Sequence, residues 1–442
     1  MWRRFLGFLR PKITLEGWDG EVETLPPPDS VTLPLSQPDQ MPFNPIVEVG
    51  DRVKTGQFIA MLPSCTGVHA TVTGKVSSIG PGYSPHGQKI LTISIQRESD
   101  DEFETPIIVE NLAKAPRDQL IQTMADLGFA SPWKPESLKD KLSEMERIPI
   151  HTVIIRAVDE EPPISVQRRF LNEFSRDFAE SVEGLRNISG DARIVVAVPE
   201  SMAGQAQSIL KNVEIFPVGN STLETNPRLL IYKITGKFFA SNERPRRDGI
   251  AVISAENLAF VARCLHKGKS RTNKLVTVSS PDLGNPVTIR ARLGTPVSHV
   301  LKALNVKVAA GDRIIFGGPL MGVAQPDMKA NVVWGVNGVT VIRASNVAPF
   351  TDAPCINCGR CVRVCPVNIQ VNLVGRYAEF GYFEKAVMGG SLSCVGCSLC
   401  AYACPSRRPL LQYMIFANNQ YGLQVEEAQE WEEGEEDGAG SL

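Results

Sequence analysis

The sequence predicts a multidomain protein that combines α/β and β domains with a cysteine-rich helical module near its C-terminal end. Its 442 residues correspond to about three domains of ordinary size. Short β-branched runs bounded by glycine occur in two separate regions, and the region between them alternates strand-like with helix-like segments. Eight of the ten cysteines lie between residues 355 and 404. The apolar fraction of 43% is that of a globular chain that buries hydrophobic cores.

Residues 1–30 are predicted to form an extended N-terminal arm. Its start, Met1–Arg10, alternates basic and apolar side chains, which suits an anionic membrane surface, a groove on a partner or a disordered tail. This start lacks the long apolar region and the small-residue cleavage site of a signal peptide. No run of about 18 apolar residues occurs anywhere, so we expect no membrane-spanning segment.

Residues 31–100 are predicted to form a small β sandwich or barrel. Strand-like runs such as Ile59–Leu62, Ala70–Val76 and Ile90–Ile95 alternate with glycine turns. Their order resembles the barrel-sandwich fold of lipoyl domains, which display a lysine at a hairpin tip. The matching stretch Pro63–Gly67 has no lysine, so we expect the fold without the carrier function.

Residues 116–265 are predicted to form an α/β domain. Val153–Ile155 and Ile194–Val198 are β-branched runs suited to buried parallel strands. Strands that alternate with helices favour a doubly wound layer. The helices are expected at three places: Arg117–Asp126, Gln167–Val182 and Gln205–Asn212.

Residues 270–345 return to a β pattern. Val276–Val278 and Val287–Ile289 are strand-like, a helix is expected from about Pro296, and Ala310–Asp312 has the composition of a turn. This region is predicted to be a small mixed β domain.

Two copies of one cysteine motif lie in the predicted module at residues 350–422. Each copy reads C-x2-C-x2-C-x3-C-P, the run that binds [4Fe-4S] clusters in two-cluster ferredoxins. Three cysteines of a motif hold one cluster, and the fourth, at the start of a helix, ligates the other cluster. The first cluster is therefore assigned to Cys355, Cys358, Cys361 and Cys404, and the second to Cys394, Cys397, Cys400 and Cys365.

The alternatives for these cysteines are structural zinc and disulfides. Zinc sites use four ligands in two widely separated pairs, and disulfides suit small secreted domains without a large core. Neither explains eight cysteines at this tight and doubled spacing. Cys65 and Cys264 remain and are far apart in sequence, so we interpret both as small buried hydrophobic residues. A metal pair of Cys264 with His266 would have no further ligands.

The module is predicted to be helical outside the cysteine loops. Val371–Val387 forms one expected helix, and a second follows Pro405. The packing face of the second is assigned to Leu410, Leu411, Met414 and Ile415. Residues 423–442 are acidic and are predicted to be a disordered tail.

This order of parts resembles the C subunit of the Rnf complex, an ion-translocating ferredoxin oxidoreductase, over about residues 30–420. The resemblance extends beyond the cysteines to Gly294–Leu301 and Gly317–Gly322, which look like that family's ligand-binding β-grasp (SLBB-like) segment, and to Gly249–Asn257. Related cobalamin reductases begin with the nucleotide-binding domain, whereas here the barrel-sandwich comes first. The resemblance implies that residues 116–265 are similar to the NADH-binding subunit of respiratory complex I.

The chain departs from the family at its flavin site. The family's glycine-rich phosphate loop corresponds here to Asp126–Trp133, which keeps one glycine. The family's Asn-Gly-Ala-Glu-Cys-Glu-Pro corresponds to Arg156–Pro162, where Asn and Gly are replaced, and a third element is partly kept at Phe216–Asn220. We expect Asp126, Asp159, Glu160 and Glu161 to add negative charge near a phosphate position. The resemblance therefore implies a retained domain with a degraded FMN and NADH site, and no FMN or NADH residue is assigned.

The expected function is electron transfer through two [4Fe-4S] clusters within a membrane-bound Rnf-type complex. The expected partners are the other subunits of that complex and a cytochrome or ferredoxin-type redox protein rather than NADH. The net charge of −2 gives no reason to expect nucleic acid. The expected location is peripheral, on the cytoplasmic face of a bacterial or archaeal membrane. The alternatives are a soluble FMN-dependent NADH dehydrogenase, a cobalamin-reductase-like flavoprotein and a purely structural iron–sulfur protein.

Overall fold

In the computed structural model, the protein forms two compact units. The main unit lies within Thr14–Ser221 and Pro245–Val347, and the cysteine-rich unit comprises Thr222–Arg244 and the chain after residue 347. The residues that the structure describes are 20–35, 43–61, 67–85, 87–98, 100–104, 112, 114–116, 119–120, 149–161, 163–267, 270–326, 328–347 and 349–439.

All strands found in the described residues belong to the main unit. In chain order they are β1 (Glu23–Thr24), β2 (Ser30–Pro34), β3 (Asn44–Pro45), β4 (Arg52–Val53), β5 (Phe58–Met61), β6 (Gly67–His69), β7 (Gly74–Tyr83), β8 (Lys89–Arg97), β9 (Thr152–Arg156), β10 (Arg193–Pro199), β11 (Glu214–Val218), β12 (Ile250–Ser254), β13 (Asn273–Ser279), β14 (Val287–Arg292), β15 (Thr295–Pro296), β16 (Arg313–Phe316), β17 (Val323–Ala324), β18 (Asn331–Val332) and β19 (Gly338–Ile342).

The N-terminal β region folds into two antiparallel sheets, ordered β2-β8-β7-β4 and β3-β5-β6. In the register of β2 with β8, Val31 lies opposite Ile95 and Leu33 opposite Ile93, and all four side chains are buried. Alternate residues of a strand face the same side, so this spacing produces one core face. Within the predicted extended arm, Glu23–Thr24 is extended and pairs with β14 in another sheet of the main unit. The stretch Pro63–Gly67 and Cys65 lie outside the described residues, apart from Gly67 itself.

The α/β region contains a parallel sheet in the order β11-β10-β9-β12. Four of the five β9 residues are buried, as expected for a strand covered on both faces. The helices on this sheet are Ser175–Ser189, Ala203–Ile209 and Ala255–Lys267.

Two predicted helices in this region are only partly matched by described helices. Gln167–Val182 is a 3-10 turn over Gln167–Leu171 followed by an α-helix that begins only at Ser175. The predicted helix Arg117–Asp126 lies outside the described residues except at 119–120.

The second β region forms a six-stranded sheet ordered β1-β14-β13-β19-β16-β17, with the helix Val297–Ala303 against it. The predicted strands and turn are present, and Gly311 has a φ of +88°, a left-handed conformation that glycine adopts without steric cost.

A buried ion network lies within the main unit between the helix Ala255–Lys267 and β13. Lys274 Nζ lies 2.7 Å from Glu256 Oε2, and both side chains are almost fully buried. Arg271 also faces Glu256 at 3.4 Å and stacks on Trp334, with 3.6 Å from the guanidinium carbon to the ring centroid. Burial lowers the pKa of Lys274 against the opposing effect of Glu256. Removing one partner of such a buried network leaves an unpaired buried charge, which is strongly destabilising.

The cysteine-rich unit is helical in its described residues. Its helices are Pro227–Thr235, Arg360–Val364, Val371–Glu379, Phe383–Met388, Leu399–Tyr402 and Leu410–Ala439. The predicted helix Val371–Val387 is two helices, since Gly381 between them adopts a φ of +76° that interrupts the α-helix.

Two further predictions for this unit are wrong. Leu410 and Met414 of the last helix are buried, but Ile415 is half exposed and does not belong to the packing face. The acidic segment predicted to be a disordered tail from residue 423 is helical through Ala439. Glu, Gln and Ala dominate this segment and are strong helix formers, so the helix continues beyond its packed part.

The boundary of the α/β domain also changes. Residues 222–244 lie inside the predicted range 116–265, but their contacts place them in the cysteine-rich unit. Within the described part of the chain, no helix is both long enough and apolar enough to cross a bilayer.

Candidate iron–sulfur site

The two cysteine motifs form loops with the same backbone conformation. Asn357 and Gly396, each one residue before the second cysteine of its motif, have φ values of +53° and +70°. Gly359 and Ser398, each one residue after it, have φ values of +70° and +58°. Left-handed residues at these places turn the chain sharply, so that three closely spaced cysteines can face one point.

A short helix follows each loop and carries the third cysteine. Cys361 lies in Arg360–Val364, and Cys400 lies in Leu399–Tyr402. The fourth cysteine follows the end of its helix, with Cys365 at the C-cap of the first. Its expected position at the start of a helix is therefore wrong. A proline comes directly after each fourth cysteine and cannot continue the helix.

The first group of cysteines contains one member from the second motif. Burial raises the pKa of Cys361 to about 11, and the neighbouring thiols of Cys355, Cys404 and Cys358 raise it further. Cys404 is therefore an electrostatic neighbour of the first motif, although 43 residues separate it from Cys361.

The second group mirrors the first. Burial raises the pKa of Cys397 to about 11, and Cys394 and Cys365 add to that effect. Burial also raises the pKa of Cys400. The neighbouring thiols of Cys394, Cys397 and Cys365 raise it further. Cys365 of the first motif thus lies among the three leading cysteines of the second.

This donor chemistry fits two cubane clusters. Buried thiols that raise each other's pKa keep their protons unless a cation compensates the thiolate charge, and iron does so on binding. Backbone amides approach the sulfurs as well, such as Ile369 N at 3.4 Å from Cys365 Sγ. Among the described residues, no three His, Cys, Asp or Glu side chains are placed to hold a single metal ion. A cubane instead takes one thiolate at each of four separate corners.

Residues 222–244 cover the loop of the second motif. Asn226 caps the helix Pro227–Thr235 by accepting from the amides of Arg228 and Leu229, and its Nδ2 donates to Val395 O at 2.9 Å. Arg228 Nη1 donates to Cys394 O at 2.8 Å. Burial lowers the pKa of Arg228, while the Cys394 thiolate acts in the opposite direction.

The sequence reasoning missed this contact. The Asn-Pro start and the glycine at 236, where φ is +75°, are recognisable helix signals. They identify the helix Pro227–Thr235 but carry no information about which unit it joins.

The stretches matched to a flavin site are only partly described. Asp126–Trp133 lies outside the described residues. Phe216–Val218 ends β11, with Gly219 and Asn220 directly after it. In the stretch Arg156–Pro162, the last residue is also outside the described residues.

Two carboxylates of this stretch are buried and held by backbone amides. Asp159 Oδ1 accepts from the amides of Val166 and Gln167 at 2.9 and 2.8 Å. Burial raises the pKa of Asp159 to about 6 against these hydrogen bonds. Burial also raises the pKa of Glu161, whose two oxygens accept from Leu320 N at 2.9 Å and Met321 N at 2.8 Å.

The loop Gly317–Gly322 is therefore a carboxylate-binding turn within the chain. A Cβ at Gly318 would lie 2.4 Å from the Glu161 carboxyl carbon, so only glycine allows this approach. Cys264, also left over from the motifs, is buried in the core of the main unit, and His266 pairs with Glu180 at 2.9 Å.

Comparisons with known proteins agree with this arrangement. Residues 350–427 match the family described as "4Fe-4S dicluster domain". The fold and the paired cysteine groups thus define an iron–sulfur protein of the dicluster class. Residues 12–100 match the "RnfC Barrel sandwich hybrid domain".

Curated relatives cover most of the chain. The C subunit of an ion-translocating oxidoreductase complex from Rhodobacter capsulatus is 27% identical over 90% of this chain and 79% of its own length. The C subunit of a Na+-translocating ferredoxin:NAD+ oxidoreductase complex from Acetobacterium woodii is 22% identical over 81% and 83%. The proton-translocating counterpart of Clostridium ljungdahlii is 24% identical over 83% and 82%. The N-terminal match and these relatives together support membership of the RnfC family.

A solved structure of an NAD+-reducing [NiFe]-hydrogenase in the air-oxidised state overlaps with a TM-score of 0.47. Its identity is 15%, over 69% of this chain and 66% of that chain.

Proposed function

We propose that this chain is the electron-transfer iron–sulfur subunit of a membrane-bound, Rnf-type ion-translocating oxidoreductase complex. The observation that carries the proposal is the gathering of eight cysteines into two groups of four, each completed by the other motif. Bound [4Fe-4S] clusters supply one-electron transfer at such sites. The relatives that cover most of the chain are named as subunits of ion-translocating oxidoreductase complexes, which supports the same assignment.

The ligands in this proposal follow the two groups. The first cluster takes Cys355, Cys358, Cys361 and Cys404, and the second takes Cys394, Cys397, Cys400 and Cys365. The left-handed residues beside each second cysteine shape the loops, and amides such as Ile369 N stabilise the thiolates.

We also propose that the chain exchanges electrons with a protein rather than with NADH and does not hold FMN. A flavin phosphate needs several free backbone amides at close approach. The amides of Leu320 and Met321 are already bonded to Glu161, and the matched loop Asp126–Trp133 keeps one glycine. The negative charge expected from Asp159 and Glu161 at a phosphate position is instead buried in these structural hydrogen bonds.

The partners in this proposal are other subunits of the complex and a redox protein of the ferredoxin or cytochrome type. The chain would lie peripherally on the cytoplasmic face of the membrane and be released by high salt. A need for detergent would contradict peripheral attachment.

The experiment that tests the function compares electron donors on anaerobically prepared, full-length protein. Visible and EPR spectra should show reduction by a low-potential one-electron donor, and no reduction by NADH with or without added FMN. Stoichiometric FMN binding with fast NADH turnover would contradict the proposal and restore the dehydrogenase alternative.

A further inference from the structure

The twin loops have the same backbone but very different surroundings. Ile356 in the first motif corresponds to Val395 in the second, and their exposed fractions are 65% and 8%. Arg360 corresponds to Leu399, which is fully buried. Two loops of the same backbone conformation are thus present, and at these positions only the second is buried.

The cover of the second loop shows what such a loop binds. Leu223, Leu229 and Phe238 pack against a hydrophobic cluster that includes Val395 and Leu399. Asn226 and Arg228 add hydrogen bonds to the carbonyls of Val395 and Cys394. This cover supplies apolar contact at the first variable position of the motif together with polar contacts to its backbone.

The first loop keeps the same apolar position open to solvent. Ile356 is exposed, Cys358 is exposed, and Leu373 on the adjoining helix Val371–Glu379 is 44% exposed. Asn372 Nδ2 donates to Asn357 Oδ1 at 2.7 Å and ties this helix to the loop. Loop and helix therefore form one surface directly over the first group of cysteines.

The segment Ala353–Ala378, between Asp352 and Glu379, carries a net positive charge. Between Ala353 and Ala378 the chain has three arginines, Arg360, Arg363 and Arg376, and no acidic residue. All three are exposed, and Arg363 Nη1 donates to Cys358 O at 3.2 Å. By contrast, the chain from Ala386 to Ser406 around the second loop has no charged residue at all. Charges at the rim of an interface select the partner and set the rate of encounter.

We propose that the first loop is the docking site for an acidic one-electron carrier protein, with Ile356 as the apolar contact and the three arginines as the attracting rim. The inference rests on the proposed function and names the place and chemistry of its protein partner. The reaction transfers one electron, and no bond is made or broken and no proton is transferred. The carrier is oxidised by one electron, and this chain is reduced by one.

The test measures the second-order rate of electron transfer from a reduced, acidic plant-type ferredoxin to the full-length, cluster-loaded chain. Arg360→Glu should slow this reaction by at least about tenfold at low salt, with the difference shrinking as salt screens the charges. Lys385→Glu is the matched control, because it makes the same charge change on an exposed residue outside the arginine segment, and its rate should stay within about twofold of wild type. Ile356→Ser should slow the reaction at every salt concentration.

A second reaction uses a carrier of opposite charge: the reduced chain donates an electron to a basic cytochrome c. Arg360→Glu should accelerate that reaction, since the surface then attracts a basic protein. The proposal would be overturned if Arg360→Glu and Lys385→Glu changed the electron-transfer rate equally. It would also be overturned if Arg360→Glu changed the rate in the same direction with both carriers. If Arg360→Glu loads less iron, Arg376→Glu on the adjoining helix replaces it with the same expectation.

Failure of the inference can be told apart from failure of the proposed function. A chain that holds iron and is reduced by dithionite, but not by the ferredoxin, keeps the function and loses this docking site. A chain that holds no iron–sulfur clusters loses both.

Discussion

Asp159 gives the main unit a specific pH dependence at the scale of one residue. Its folded pKa of about 6 lies above the usual value of 3.8, so the folded state binds the proton more tightly. The contribution of protonated Asp159 to the free energy of unfolding is fully present below about pH 4 and is lost as the pH rises through about 6. The difference is at most about 3 kcal/mol. Asp159→Asn should therefore be more stable than wild type near pH 8, with the advantage disappearing near pH 4.

The measurement is the unfolding midpoint of both proteins at the two pH values. Asp159→Ala serves as control, because it removes the acceptor for Val166 N and Gln167 N and should be destabilising near pH 8 relative to Asp159→Asn. A pH-independent difference between wild type and Asp159→Asn would show that folding does not raise the pKa of Asp159.

Asn226 links helix capping to the second cysteine loop. Asn226→Ala should destabilise the cysteine-rich unit by about 1–3 kcal/mol, because the cap and the bond to Val395 O are both lost. Asn226→Asp keeps the cap acceptor but cannot donate to Val395 O. Chemical denaturation followed by the loss of cluster absorbance should rank wild type above Asn226→Asp and Asn226→Asp above Asn226→Ala. Equal stability of all three proteins would contradict the role of Asn226 in holding the second cysteine loop.

At the scale of elements, the exchange of the fourth cysteines ties the two motifs into one module. Cys365→Ser should alter the EPR signal of the second cluster, because Cys365 lies among Cys394, Cys397 and Cys400. Cys404→Ser is the reciprocal variant and should alter the signal of the first. Each signal is assigned beforehand with Cys358→Ser and Cys397→Ser. Loss of only the first cluster's signal in Cys365→Ser would mean that each motif uses its own four cysteines.

Periodicity and turn residues predict the strands well, because they are local properties of the chain. β9, β10, β13 and β14 fall where β-branched runs occur, and Gly311 falls at its predicted turn. The cysteine spacing likewise predicts which residues come together, since the motif itself defines a loop.

Other features depend on long-range contacts that no local pattern encodes. The helix Pro227–Thr235 has clear end signals, but its position against residues 394–395 depends on packing across more than 150 residues of chain. Glu161 looks like a free acidic residue in the sequence, whereas the turn at Gly318–Met321 binds its carboxylate. The acidic composition after residue 423 favours disorder, but helix propensity continues the packed helix.

For the whole molecule, the division into a main unit and a cysteine-rich unit places the described flavin-site stretches, Arg156–Glu161 and Phe216–Asn220, in the main unit and both cysteine motifs in the other. The central claim is that the cysteine-rich unit holds two [4Fe-4S] clusters. The most direct test is the iron and acid-labile sulfide content of protein that is produced and purified without oxygen. Two cubane clusters require about eight irons and eight sulfides per chain, and we expect no zinc. Zinc in place of iron, or about four irons with four sulfides, would contradict it.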